Sequence, residues 1–545
     1  MAGTVTQGLR GVEALTRHDP ASGATTQTLN RDSRLGAGTT PITKISAANM
    51  PVLDAAIVSG ANTPFDEIAD TQAAKQVEAC LADIRKNYAE FKNFDHYGGI
   101  AGSGISSANA QKNTEVFNKI LTDIGTESQM NGIFFPGSVY EFMEVAGAMP
   151  TIDTNFSGIR LGGCGAGTTF KRNSNASISL SLLTVADCSN VTVADLQFDG
   201  TGLTGSTGCL EVKSVGSPIE NIRVLFCRFN GGSTQLILGT NSGAVDSYWV
   251  YGSSFFNCSS VNIAAQDGRN GHILSNYLYG GGSGISVSST GGGAYLSDVE
   301  IVGNVLTATG MHIAVSRINT FNALVHRGIL IQGNKVLGGN VTCTGVDSVE
   351  FINNKLYAGK IGVILDMTTA KNPRFIGNEV VGATGPGIQI AGVGCTVEGF
   401  EILGGKIENA TQQGIAVQCS GAPAKWGRIE GVHILNCSRE DSSTTDYSGI
   451  VLDAPGGGAG GVLESLVQNN IIRCTTETTN NSNKHLYGVQ EVAGGASNKN
   501  IIGPNFVQGY VTADVLVSGA ASLDVVAAVT ASVATYTRYD AGAAV

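Results

Sequence analysis

Seven segments built around an asparagine position recur down the middle of this chain: WVYGSSF from residue 249, then HILSNYL, VEIVGNVL, ILIQGNKVL, VEFINNKL, PRFIGNEV and, from Phe400, FEILGGKI. Most are followed about ten residues later by a short apolar strand, such as GISV at 284–287, GVIL at 362–365, GIQI at 387–390, GIAV at 414–417 and GIVL at 449–452. With Ser253, Asn276, Asn304, Asn334, Asn354, Asn378 and Gly405 as equivalent positions, the steps are 23, 28, 30, 20, 24 and 27 residues. A fixed unit carrying variable insertions is the mark of a solenoid, because each unit buries its apolar side only by stacking on the next. Every unit holds two or three strands of alternating apolar and polar residues, with no helix-length periodic stretch between them. The expected architecture is all-β: a right-handed parallel β-helix of about twelve rungs, with an N-terminal helical cap and an extended N-terminal arm.

Composition agrees with that coil. Charged residues are 14% of the 545, against roughly 25% in ordinary soluble domains. The 74 glycines, with many Asn, Ser and Thr, suit tight corners, since Gly and Asn tolerate positive φ at little cost. Disorder fits poorly when 42% of residues are hydrophobic. A formal charge of −11 argues against a nucleic-acid partner, whose phosphates need a basic face. The eleven cysteines form no CxxC or Cys/His ligand spacing and read as small buried hydrophobes in a reduced compartment, with a metal or disulfide role as the alternative. No metal or cofactor is expected. The start, MAGTVTQGLRGVEALTRHD, has no apolar core of signal-peptide length, and no apolar run is long enough to span a bilayer. Folding in the cytoplasm without membrane insertion is therefore expected.

Four regions follow. Residues 1–92 are an arm, polar and without sustained periodicity over 1–62, ending in an amphipathic helix over Thr71–Phe91. Residues 93–177 hold a second helix over Asn113–Ile124 and the opening of the coil; a helix there covers the exposed core and unpaired strand edge. Residues 178–509 are the rungs, and 510–545, rich in Ala and Val, are a C-terminal cap or subunit contact.

The run FDHYGGIAGSG, a helix, GIFFPGSVYEF and then IRLGGCGAGTTFKR, within residues 94–172, resembles the opening of the pectate-lyase-3-like β-helices common in bacteriophage tailspikes. Tyr97–Gly104, Ile133–Tyr140 and Gly163–Thr169 occupy the places of that family's signature turn, strand and second turn, while Gln111-Lys112-Asn113 stands where an acidic pair often precedes the capping helix. The resemblance implies a homotrimeric virion protein, assembled in the host cytoplasm. Its N-terminal part, residues 1–92, would dock on phage tail or capsid proteins, and its β-helix would bind or cleave a host surface glycan. The family contains lyases, hydrolases and non-enzymatic adhesins, so a depolymerase activity stays open. A structural virion fibre or decoration protein using the coil as a rigid spacer is the alternative.

Candidate chemistry lies outside the Asn positions, which read as stacked structural turns. Asp187, Glu220, Asp246, Asp298, Asp347 and Glu398 precede the strand leading to each Asn, and the preferred reading is that they satisfy turn amides. On the GIxV strands, Thr344, Asp366, Ala391, Gln418 and Asp453 are read as successive outward positions. Asp366 and Asp453 would stand three rungs, roughly 14 Å, apart, too far for a glycosidase pair unless another subunit contributes. The loop AAQDGRNGH brings Asp267, Arg269 and His272 near Tyr248, Trp249 and Tyr251 of the preceding rung; acid, cation and aromatic faces suit a sugar, or a Gly-rich loop over a buried Trp. The insertion at 310–328 holds His312, Arg317, His326 and Arg327, types that would serve a uronate lyase as base and carboxylate clamp, or would only fix the loop. The catalytic candidates are thus Asp267, Asp366, Asp453, His312 and His326, and the substrate-binding candidates Trp249, Tyr251, Arg269, Arg317 and Gln418.

Overall fold

The computed structural model describes residues 5–9, 12–18, 25–30, 91–126, 132–204, 207–214, 218–239, 245–289, 296–307, 312–317, 327–365, 369–438, 447–455, 459–474, 485–492, 497–508, 510–518 and 522–524. The chain divides into an N-terminal unit, Met1–Lys92 with Ser128–Gly132, and a second unit comprising the rest.

Within the first unit, β1 (Val5–Leu9), β2 (Val12–His18) and β3 (Thr25–Asn30) form an antiparallel meander in which Leu9 pairs with Val12 and Glu13 with Asn30. Apolar and polar residues alternate here over only a few positions, too briefly to register as periodic. The helix expected over Thr71–Phe91 lies outside the described residues up to position 90, and Phe91 begins a short strand, Phe91–Asn93.

The second unit opens with α1 (Ser107–Thr126), which starts six residues before the expected Asn113. The early residues carry no apolar stripe; instead the Asn109 amide donates to Ser106 Oγ (3.3 Å), capping the first turn. Asn113 is fully buried and donates from Nδ2 to the carbonyls of Ile100 and Glu141, both at 2.9 Å, tying the cap to the first turns of the coil. Val116, Phe117, Ile120 and Leu121 close the core beneath it.

From there the chain winds through three parallel sheets around one apolar core, forming a right-handed parallel β-helix. Face I carries the strands that lead to each Asn position, for example Val245–Tyr251 and Arg269–Leu274. Face II follows the corner, as in Ser254–Phe256 and Tyr277–Tyr279, and face III closes the turn, as in Val261–Gln266 and Ser283–Ser289. Faces II and III each hold fourteen strands, more than the expected twelve. The extra turns lie at both ends. Val139–Phe142 and Thr169–Arg172 already belong to face II, and Tyr510–Leu516 pairs with His485–Glu491 on face III, so the coil continues into the expected C-terminal cap. A fourth sheet of four short strands, from Thr369–Lys371 to Gly461–Leu463, widens the later turns between faces III and I.

Two buried columns explain why this sequence takes this register. Under face II, Tyr140, Phe170, Phe198, Phe229 and Phe255 stack rung on rung, continued by Leu278, Leu306 and Val336. The Phe198–Phe229 and Phe229–Phe255 rings are parallel, with centroids 5.0 and 4.7 Å apart, which is the rung spacing itself. At the face I–II corner the Asn side chains form a ladder. Asn276, Asn304 and Asn334 each accept the previous rung's backbone amide at Oδ1 (2.9 Å), and each donates Nδ2 to a face I carbonyl (2.8–2.9 Å). The ladder runs from Ser253 to Asn378 and resumes at Asn470 and Asn505. Gly405 interrupts it because a Cβ there would lie 2.3 Å from the Asn378 carbonyl oxygen.

The residue just before each ladder position is left-handed: Phe226, Gly252, Ser275, Gly303, Gly333, Asn353, Gly377 and Gly404 all have φ between 52° and 66°. This is the physical origin of the repeated Gly-Asn pair, since αL backbone favours Gly, Asn or Ser. Phe226 is the exception.

Candidate functional site

Because the strands pair in register, each outward position of face I becomes a straight column along the coil. One column reads Thr192, Arg223, Trp249, His272, Glu300, Leu330, Glu350, Arg374, Glu401 and Arg428. The Arg223 guanidinium lies 5.2 Å from the Trp249 ring centroid, Trp249 stacks on His272 (5.3 Å, 18°), and His272 Nδ1 meets Glu300 Oε2 at 2.9 Å. Trp249 is thus half-buried between a cation and an imidazole.

Beside this column, the corner between faces I and II and the face II strands that follow it carry exposed aromatic rings. Phe226 is 48% exposed, Tyr251 39%, Tyr277 41% and Tyr279 51%. Phe226 meets Tyr251 edge-on at 5.3 Å, and Phe256 lies 6.0 Å from Tyr277. Arg228 sits over Phe256 at 4.9 Å. Phe226 reaches this edge only because its φ is 54°, a conformation costing about 1–2 kcal/mol in a bulky residue. The glycine above leaves room: a Cβ on Gly252 would approach the Phe226 ring to 2.8 Å. A strained, exposed aromatic whose counterparts on other rungs are Gly, Ser, Asn and, one rung below, Asp195 is a feature that packing alone does not select.

Further along face I, an open cleft of about 450 Å³ is lined by Ser348, Glu350, Asn372, Arg374, Gly399 and Glu401. Arg374 bridges the two carboxylates, at 2.7 Å to Glu350 and 2.8 Å to Glu401, and these bonds hold its guanidinium above the ordinary range. Glu430 pairs with Arg428, and its carboxyl is held low chiefly by Asn469, then by Arg428. Glu464 accepts from Trp426 Nε1 (2.9 Å) and Lys499 (3.2 Å) and is likewise held low. A glycosidase general acid needs its pKa raised, so Glu430 and Glu464 are unsuited to that role.

The residues singled out from sequence fall as follows. Trp249 and Tyr251 stand on the aromatic edge, one half-buried and one exposed. Tyr248, read beside them as part of the platform, points inward: it is fully buried under Gly271. Arg269 opens its face I strand in register with Asp246 and Ser297, away from the aromatic edge. The expected role of Asp267 is corrected, since it is 2% exposed at a left-handed turn (φ 52°) and its amide donates to the Ser288 carbonyl (2.7 Å). His312 is corrected too. It is fully buried and its Nε2 bonds the Leu337 carbonyl at 2.8 Å, out of reach of any substrate. His326 and Asp366 lie outside the described residues, as does the Arg317 side chain. The face III column runs Thr344, Ile364, Ala391, Gln418 and Asp453, so Ile364 holds the register given to Asp366. Gln418 and Asp453 do meet: Lys360, Gln389, Gln418 and Asp453 form a hydrogen-bonded line, at 3.0, 3.2 and 3.5 Å.

Sequence reasoning missed Phe226, Arg223, Arg228, Phe256, Tyr277 and Tyr279. The available signal was an aromatic replacing Gly before a ladder position. All ten described cysteines are free thiols, and nine are buried; burial pushes the Cys188 thiol to about 11 and Cys227 to about 12. Among the described residues no group of three or more His, Cys, Asp or Glu could hold a metal ion, and no helix is long and apolar enough to cross a membrane.

Fold and surface together define a parallel β-helix with an aromatic edge. Among solved structures, the chain is similar to the mannuronan C-5 epimerase AlgE6 A-module of Azotobacter vinelandii, at 15% identity and a TM-score of 0.38, over 79% of this chain and 97% of that one. It is similar to ORF18 of Geobacillus virus E2, at 12% identity and 0.34, over 85% and 68%. It is also similar to the catalytic unit of a GH87 alpha-1,3-glucanase from Streptomyces thermodiastaticus, at 9% and 0.38, over 80% and 70%. No protein-family model and no curated protein sequence matches the chain.

Proposed function

We propose that this chain is a phage tailspike that recognises a host surface polysaccharide along the edge between faces I and II. One observation carries the reading: exposed aromatic rings stand on three consecutive rungs, Phe226, then Tyr251 beside Trp249, then Tyr277 and Tyr279 on face II, with Phe226 held there against backbone strain. Aromatic faces stack on pyranose rings, and phenol hydroxyls orient them. The rung spacing of about 4.8 Å repeats these platforms at the scale of a sugar unit. In this reading the protein is a homotrimer, residues 1–92 dock on the virion, and the coil projects the edge toward the cell surface. Binding is favoured over cleavage because the face I carboxylates Glu300, Glu350 and Glu401 are engaged by His272 and Arg374.

The test is to mix the purified full chain with capsule and lipopolysaccharide from candidate hosts, measuring retention, new reducing ends and unsaturated uronate absorbance. Retention without new ends is expected. New ends would make the protein a depolymerase, and no retention on any glycan would favour the rigid-spacer alternative.

A further inference from the structure

On the rest of the coil several surface cations are answered by carboxylates from the same or neighbouring rungs, while others, such as Lys360 and Arg473, meet the amide oxygens of Gln389 and Gln508. Arg374 bridges Glu350 and Glu401, Lys355 meets Glu379 (3.2 Å), Lys499 meets Glu464 (3.2 Å), and Arg428 pairs with Glu430. Among the described residues, the two arginines at the aromatic edge meet no carboxylate and are held by rings instead. In its column Arg223 has Thr192 below and Trp249 above; Arg228 has Gln197 below and Ser254 above. Along their own strands the outward neighbours are Asn221 and Leu225 for Arg223 and Asn230 for Arg228, all neutral, with the exposed Glu220 further along, in register with Asp246. What holds both side chains is aromatic: Trp249 for Arg223, whose Nε also donates to Asn221 Oδ1 (3.0 Å), and Phe256 for Arg228.

Stacking on a ring fixes the guanidinium plane but leaves most of its five N–H donors and its full charge unspent. The chain as a whole carries −11, and Asp195 holds the equivalent corner one rung below Phe226, so what sets Arg223 and Arg228 apart is that neither guanidinium is spent in an ion pair. We infer, resting on the glycan-binding reading above, that the polysaccharide this edge takes is acidic, and that Arg223 and Arg228 receive anionic groups on sugars stacked against the neighbouring rings. Guanidinium forks match carboxylate and phosphate oxygens two at a time. Arg223 lies on face I and Arg228 on face II, one either side of the corner residue Phe226. An acidic residue recurring along the polymer would therefore meet a cation on each side of the edge.

The probe is an immobilised array of bacterial capsular, exo- and lipopolysaccharides containing uronate-bearing, phosphate-bearing and neutral polymers, with the uronate polymers also present after carboxyl reduction. Full-length protein is compared with Arg223→Gln, Arg228→Gln, the double variant and Trp249→Ala. The expected result is binding confined to acidic polymers, lost at least tenfold after carboxyl reduction or in the double variant. Trp249→Ala would weaken every bound polymer. Uronate against phosphate polymers tells which anion is read. Binding to neutral polymers, or acidic binding that survives the double variant, would overturn the inference and leave the glycan reading standing. No binding to any polymer would sink both. Because both arginines are exposed, the variants should fold, and unchanged circular dichroism checks it.

Discussion

Replacing Asn304 by alanine isolates the contribution of the asparagine ladder. Its Oδ1 accepts from the Asn276 backbone amide (2.9 Å) and from Asn276 Nδ2 (3.0 Å), while its Nδ2 donates to the Ile273 carbonyl (2.8 Å) and to Asn334 Oδ1 (3.0 Å). After Asn304→Ala two of the four partners keep another bond. Asn276 Nδ2 still reaches Val250 O, and Asn334 Oδ1 still accepts the residue-304 amide. The Asn276 amide and the Ile273 carbonyl each lose a bond in a buried corner. At about 1–3 kcal/mol per unsatisfied buried group, the loss is about 4 kcal/mol. Asn304→Asp, nearly isosteric, should do no better, because an oxygen then faces the Ile273 and Asn334 acceptors and a buried charge is added. The control is Asn469→Gly: Asn469 is an exposed Asn at a left-handed corner (φ 56°) where glycine fits and only an exposed bond to Glu430 (3.2 Å) is lost, so the change should be under about 1 kcal/mol. Denaturant unfolding followed by far-UV circular dichroism measures the difference, read as an unfolding rate if refolding is incomplete. An Asn304→Ala loss below about 1 kcal/mol, or an Asp variant as stable as the parent, would refute the ladder as a stabilising element.

Other consequences follow from particular contacts. Phe229→Ala removes the middle of a three-ring stack and should cost about 3–5 kcal/mol in the same assay. His485 is fully buried, both ring nitrogens lack a hydrogen-bond partner, and burial pushes its pKa down to about 4 from 6.5. The folded state therefore holds it neutral while the unfolded chain binds a proton below 6.5, so stability is full above that pH and falls between about 6.5 and 4, by up to about 3 kcal/mol. His485→Leu should flatten that part of a stability-against-pH curve; an unchanged slope would show that another group titrates there. Arg374→Leu breaks two surface ion pairs whose members are about a third exposed, and should cost no more than about 1–2 kcal/mol. A larger loss would mean that the bridge organises the coil rather than decorating it.

Much of this architecture was legible because a buried Asn and a left-handed residue before it leave a two-letter signature that no helix shares. The terminal rungs were not, since Val139–Phe142 and Tyr510–Leu516 carry no such pair and join the coil only through register. His312 looked like a loop base because a long insertion hides its phase; in the coil it lies just before a face III strand, Ile313–Arg317, and is fully buried. The aromatic edge was missed for a related reason. Phe226 lies within the apolar run VLFCRF and reads as core until its φ turns it outward. Whether an arginine has a partner depends on residues some 25 positions away in sequence. Arg228, for instance, has Ser254 above it. Single-residue spacing cannot supply that.

The chain has two tryptophans, one on the aromatic edge at Trp249 and one at Trp426 on another corner, so Trp426→Phe leaves Trp249 as the sole reporter. Titrating that variant with a retained host polysaccharide should give a saturable change in tryptophan emission, suppressed when Tyr251 and Tyr277 are also replaced by alanine. Polysaccharide that binds the protein without altering Trp249 emission would place recognition elsewhere and contradict the account.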